Sequence, residues 1–170
     1  MPLTSKLKVS VDAKLTQTLD LAEGTVPMLK EYAAALATGI GAGQADKVWH
    51  DQRTLALSTG EDIDLAGTLV DAFGNALTFV KVKGLLVSAA ATNANNVVVG
   101  NAATNGFVSW VGGATHTVTV RPGATLALFC GQADAAGYAV TAGTADLLRI
   151  LNGGAGSSVT YDIIIIGTSA

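Results

Sequence analysis

The chain has 170 residues, of which 49% are hydrophobic, 14% charged and 5% aromatic, and it carries a formal net charge of −3. That length suits one domain with a core of its own, needing neither metal nor disulfide. The acidic balance and scarce aromatics exclude a basic nucleic-acid face, no run approaches the ~18–20 apolar residues of a spanning helix, and the single Cys130 excludes an internal disulfide.

The chain opens Met1-Pro2-Leu3-Thr4-Ser5-Lys6, without the apolar stretch and small-residue cleavage site of a signal peptide; the expectation is a chain made and kept in a cytoplasm, or one that leaves it by a route needing no signal, such as cell lysis. Leu7 to Ala13 alternates apolar and polar residues, and Leu15 to Leu21 does so less cleanly; this period of two predicts a pair of strands. Thr25 followed by Pro27 reads as a helix start, with Met28 to Ala37 rich in Ala and Leu. Yet Met28, Lys30, Tyr32 and Ala34 also fit one face of a strand, so both readings stand. These elements make an N-terminal arm, residues 1–38. The run Gly39-Ile40-Gly41-Ala42-Gly43-Gln44 reads as a flexible joint, residues 39–47, before a main domain of residues 48–170.

The main domain reads as strand, turn, strand. Val48 to Leu57 begins it, a turn follows at Ser58 to Asp62, and Ile63–Leu65 and Leu69–Val70 precede a second turn at Asp71 to Asn75. Leu77 to Ala89 carries the strongest strand pattern. Val97–Gly100, Phe107–Val111, Thr115–Val120, Thr125–Cys130, Tyr138–Val140, Leu147–Leu151 and Val159–Ile166 follow, separated by Gly, Asn, Asp or Pro. Short strands with turn signals every ~8–12 residues and no βαβ alternation predict an all-β fold: an antiparallel β-sandwich, jelly-roll-like, with an N-terminal arm. Val159–Ile166, apolar on both faces, is expected in the middle of a sheet or under a neighbour.

No motif carries chemistry. Gly39-x-Gly41-x-Gly43 lacks the third glycine at the right offset and the following helix of a dinucleotide fingerprint, and reads as a linker. His50 and Asp51 are neighbours on a strand and point to opposite faces, so they do not pair. His116 sits in a strand as a packing or interface residue, and Cys130 reads as a small core residue. Two His and one Cys make no zinc set. Glu61-Asp62-Ile63-Asp64 is the only acidic cluster; it reads as a solvated turn, the alternative being a weak Ca²⁺ site completed by another loop or subunit. Asp71 and Asn75 are turn residues. With no nucleophile elbow and no paired carboxylates, no catalytic, cofactor-binding or metal-binding residue is assigned; neither enzyme activity nor a cofactor is expected.

Gly41–Asp46, Asp51–Ala56, Glu61–Gly67, Asp71–Gly74, Asn95–Gly100, Arg121–Gly123 and Val159–Gly167 together resemble a group of small virion-associated structural proteins of tailed bacteriophages and prophages. The resemblance covers roughly residues 40–170 and implies a structural part of the particle. The charge pattern is in keeping with it. From Gly84 to Ala170 only Arg121, Asp134, Asp146, Arg149 and Asp162 are charged, and so uncharged a surface is suited to being covered by neighbours. The expected function is a capsid decoration or cement protein in the virion, a homotrimer that bridges and stabilises head-shell subunits. Its partners are the major capsid protein or other virion proteins, with no nucleic acid and no membrane. The alternative is a tail fibre, adaptor or baseplate component, with Phe107, Trp110 and Tyr138 lining a receptor or glycan site.

Overall fold

The structure, a computed structural model, describes residues 2–170. Among them are fourteen strands and no helix. In chain order they are β1 (Ser5–Thr18), β2 (Glu23–Thr38), β3 (Gln44–Ala45), β4 (Lys47–Leu55), β5 (Gly60–Asp64), β6 (Leu69–Val70), β7 (Ala76–Leu77), β8 (Lys81–Ala89), β9 (Val97–Gly100), β10 (Thr117–Val120), β11 (Thr125–Phe129), β12 (Tyr138–Ala139), β13 (Leu147–Asn152) and β14 (Val159–Thr168).

Two antiparallel sheets form a β-sandwich. One has the order β11-β8-β14-β4, with β12 continuing beside β8 where β11 stops; the other has the order β10-β9-β13-β5. The pairing is nested: β4 bonds to β14, β5 to β13, β8 to β11 and β9 to β10. The chain is thus a doubled-back ribbon folded over one core, and no strand pair within the sandwich needs a parallel crossover.

β14 runs between β8 and β4, the central place expected of Val159–Ile166. Val159, Tyr161, Ile163 and Ile165 point into the core, where they meet Leu85, Val87, Leu148 and Ile150. Their neighbours Asp162, Ile164 and Ile166 point outward. Each fully buried Ile contributes about 1.5–3 kcal/mol of transfer free energy. At the Ile166/Gly167 step the register with β8 shifts by a bulge. A Cβ at Gly167 would lie 2.1 Å from the Lys81 carbonyl oxygen, so the bulge requires glycine.

A polar trio ties the two sheets together. The Tyr161 hydroxyl on β14 donates to Glu61 Oε1 on β5 at 2.6 Å, and Arg53 Nη1 on β4 donates to Glu61 Oε2 at 2.9 Å. Arg53 Nε is 3.1 Å from Asp51 Oδ2, an ion contact not aligned as a hydrogen bond, and the guanidinium lies over the Trp49 ring. Burial, followed by the neighbouring Glu61 carboxylate, pushes the Tyr161 phenol far up.

Several expectations need correction. Leu7–Ala13 and Leu15–Leu21 are not two strands. One strand runs from Ser5 to Thr18, and the turn begins at Leu19, whose N–H donates to the Ala22 carbonyl at 2.8 Å. Met28–Ala37, open between helix and strand by its sequence, is strand, because β2 pairs residue by residue with β1. Leu77–Ala89 breaks into β7 and β8. Phe107–Val111 forms no strand; it is held instead by the Phe107 N–H on the Leu147 carbonyl. His116 precedes β10 and is exposed.

The inner and outer faces of β14 provide a test. Replacing buried Ile163 by Ala is expected to lower the unfolding free energy in urea by about 2–5 kcal/mol, and replacing its neighbour Ile164 by about 1 kcal/mol or less. Equal losses would mean that the alternation is misassigned.

Candidate assembly surface

β1 and β2 form a hairpin of fourteen consecutive residue pairs with no bulge. The register sorts its side chains onto two faces. On one, Val9, Val11, Ala13 and Leu15 stand opposite Tyr32, Lys30, Met28 and Val26. On the other, Lys6, Lys8, Ser10, Asp12 and Lys14 stand opposite Ala35, Ala33, Glu31, Leu29 and Pro27. Lys8 Nζ reaches Glu31 at 2.6 Å, and this bond holds the Glu31 carboxyl below its usual range.

The apolar face is uncovered along most of its length. Leu15 is 72% exposed, Val26 66% and Tyr32 57%, and Leu21 at the tip is 96% exposed. An isolated two-stranded hairpin is marginal in water, and an exposed apolar face of this extent is a candidate site of interaction.

Only the root of the hairpin is packed. Leu36, Ala45 and Ile166 form a small buried cluster with Leu3, Leu7 and Val48 against it. Leu7 lies directly over Gly84 on the outer face of β8: a Cβ there would come within 2.4 Å of a Leu7 methyl. The absent side chain at Gly84 is therefore the seat of the hairpin. The Leu3 N–H donates to Thr38 Oγ1, which donates in turn to the Leu3 carbonyl.

The glycine run after β2 is a bonded turn, unlike the flexible joint expected. Ala37 N–H donates to the Gly43 carbonyl, Gly41 N–H to Gln44 Oε1, and β3 adds in parallel to the end of β2. The chain that enters the sandwich is thus held by the same strand that leaves the hairpin. Cavities of about 280 and 380 Å³ lie at the root. The smaller separates Lys6–Val9 from Leu86, Ala127, Phe129 and Ile164 on the outer sheet face, and the larger lies among Leu3, Val48, His50 and Phe73.

The residues singled out by sequence are dispersed. His50 is exposed on the outer face of β4, whereas Asp51 turns the other way to Arg53. Of the acidic cluster, Glu61 is held by Tyr161 and Arg53, Asp62 by Arg149 at 3.0 Å, and Asp64 Oδ1 by the Ala66 N–H. No group of three or more His, Cys, Asp or Glu able to hold a metal occurs among the described residues. Asp71 closes its turn by accepting from the Phe73 and Asn75 N–H groups. Phe107 is buried in the core and Trp110 packs against it, with Nε1 donating to the Phe107 carbonyl, so the three aromatics do not make an open stacking face. Cys130 is buried. Burial, then the nearby Asp134 carboxylate, pushes its thiol up to about 11.

Lys83 was not anticipated. It is 1% exposed, and its Nζ donates to the Asp134 carbonyl at 2.6 Å, pinning the loop between β11 and β12. Lys83 is the extra residue of β8 at the register shift, since Gly84 stands opposite Ile166 and Val82 opposite Gly167; with both Val82 and Leu85 in the core, parity does not mark it.

Comparison with protein families, curated proteins and solved structures returns no match for this chain.

Two outcomes are expected. Gly84→Leu forces Leu7 off its seat, so residues 5–38 lose protection in hydrogen exchange while the sandwich keeps its own; unchanged protection would show that Leu7 is not the anchor. At pH 8 the native Cys130 thiol is expected to react with a disulfide reagent about a hundred-fold more slowly than in urea, two pKa units of lost thiolate. The raised pKa also fixes the sign of a pH effect. The stability gained by keeping the thiol neutral is complete below about pH 9 and is lost as pH climbs towards 11.

Proposed function

We propose that this chain is a structural subunit of a bacteriophage virion, a decoration or cement protein that sits on the head shell and bridges its subunits. The observation that carries the reading is the fourteen-pair hairpin, rooted on the sandwich by Leu7 and Leu36 and presenting an uncovered apolar face beyond it. A ribbon with a fixed root and an unpartnered face is suited to lying across a neighbouring molecule. The nested strand pairing supports a jelly-roll reading of the sandwich, a fold suited to tiling.

The distribution of charge supports the same reading. Of the five charged residues after Gly84, Asp146 is buried and Arg149 is spent on Asp62. On the outer face of the β11-β8-β14-β4 sheet, Leu86, Ala127, Phe129 and Ile164 form an apolar stretch bordered by Asp162 and by Lys6 and Lys8 of the hairpin. Such surfaces make weak contacts that a repeating shell multiplies by avidity. A homotrimer on a local three-fold of the shell, in contact with the major capsid protein, is the proposed arrangement. The tail-component reading draws on Phe107, Trp110 and Tyr138 as a glycan face, and the burial of Phe107 leaves it without a specific observation.

The test is binding to empty heads of a phage encoding this chain. The intact protein is expected to co-sediment with heads and to raise their resistance to heat. The double substitution Leu15→Asp, Met28→Asp is expected to leave the unfolding midpoint of the sandwich unchanged and to reduce head binding at least ten-fold. Full binding by that variant, or no binding by the intact chain, would refute the proposal.

A further inference from the structure

The two long edges of the hairpin are not alike. The Leu19 N–H to Ala22 carbonyl bond sets the alternation of the ladder, so odd-numbered residues of β1 exchange hydrogen bonds with β2 and even-numbered residues direct theirs outward. Lys14 and Pro27 are then a pair without mutual hydrogen bonds. The N–H that Pro27 lacks is missing from the outer edge of β2, whose far end is in any case occupied by β3 at Ala37 and Thr38. The outer edge of β1 has no such interruption. The N–H and C=O groups of Lys8, Ser10, Asp12, Lys14 and Thr16 form an unbroken row with no proline and no bulge, and no strand among the described residues pairs with it. A regular, unpaired edge of this kind is a template for another strand.

We infer that this edge is a self-recognition surface: β1 of one copy pairs antiparallel with β1 of a second copy about a two-fold axis, with Ala13 opposite Ala13. Charge selects both the partner and the register. In this register Asp12 stands opposite Lys14 of the second copy, and the reverse, Lys6 comes level with the second copy's Asp20, and no like charges are opposed. Centring on Asp12 sets Asp12 against itself, and centring on Lys14 sets Lys14 against itself. Centring on Val11 or on Ser10 opposes Lys14 to Lys8 or to Lys6. Centring on Leu15 matches no charges, and centring on Val9 pairs the segment around Leu7 that is seated on the sandwich, leaving the exposed half of the ribbon bare. Opposite charges facing across a strand pair stabilise it, and like charges destabilise it. The favoured register also keeps odd residues on one face, so Val11, Ala13 and Leu15 of both copies make one apolar surface.

The product is a four-stranded sheet, past the size at which strands hold together in water. This deepens the assembly reading in one respect: the doubled apolar face it leaves is the one that reading lays on the shell. The pairing itself is tested without heads. Ala13 is in a pair without mutual hydrogen bonds, where Cα atoms lie about 4.5 Å apart, within disulfide range. Full-length chain carrying Ala13→Cys is expected to form an intermolecular disulfide under mild oxidation at least ten-fold faster than chain carrying Val11→Cys, whose opposite residue is Leu15; buried Cys130 does not compete. Ser10→Pro removes one outward N–H that the hairpin does not use. It is expected to lower the mass measured by light scattering at least two-fold, whether single chains or trimers are what the edge joins, without moving the unfolding midpoint, while Thr25→Pro on the edge of β2 leaves the mass unchanged. Equal crosslinking at positions 13 and 11, or an unchanged mass in the Ser10→Pro chain, would overturn the inference. Pairing that fails while head binding persists sinks this surface alone, and head binding that fails while pairing persists sinks the decoration reading alone.

Discussion

The hydrogen bonding of β14 along both of its edges is the constraint from which the rest of the molecule follows. Lying between β8 and β4, the strand carries Tyr161, Ile163 and Ile165 into the core and Ile164 and Ile166 to the outside. Its inner residues bind the two sheets together, both by apolar contact and through the Tyr161–Glu61–Arg53 trio. Its outer Ile166 joins Leu36 and Ala45 beneath the hairpin root. One strand therefore closes the sandwich and orients what projects from it.

The molecule treats its two apolar surfaces differently. Inside the sandwich every large inner residue of β14 and β8 has a partner across the core, and even Lys83 is accommodated by giving its ammonium a carbonyl. Along the hairpin the same alternation of residues produces an apolar face with no partner in the chain. The conformational cost of ordering such a ribbon is met without burial of that face in the chain itself. The absence of charge from much of the sandwich surface lowers the penalty for bringing another surface close. Both features are ones that the proposed assembly role would use.

The glycines show how closely the arm and the sandwich are coupled. Gly84 leaves the space into which Leu7 fits, and Gly167 lets β14 shift register at the bulge just past Ile166. Gly84 lies in the outer face beneath the hairpin root, whereas a Cβ at Gly167 would meet the core residue Phe79. The turn at Gly39–Gln44, which by composition resembles a linker, is closed by the Gln44 side chain and by backbone bonds that run from β2 to β3. The position of the hairpin is thus built into the sheet it rests on.

From the sequence alone came the all-β class, the strand alternation of the main domain, the central place of Val159–Ile166 and the opposite facing of His50 and Asp51. The central place of Val159–Ile166 follows from its apolar residues on both faces, and the others follow from the period of two and the turn residues between strands, all carried locally. Tertiary structure decided the rest. It made Met28–Ala37 a strand, because β1 lies beside it; it denied Phe107–Val111 a strand, because Phe107 is drawn into the core; and it buried Lys83. It also made the unbroken edge of β1 and the interrupted edge of β2 into different surfaces. Hydrogen-bond partners far apart in the chain settle such choices, and local pattern does not register a partner that folding has yet to bring near.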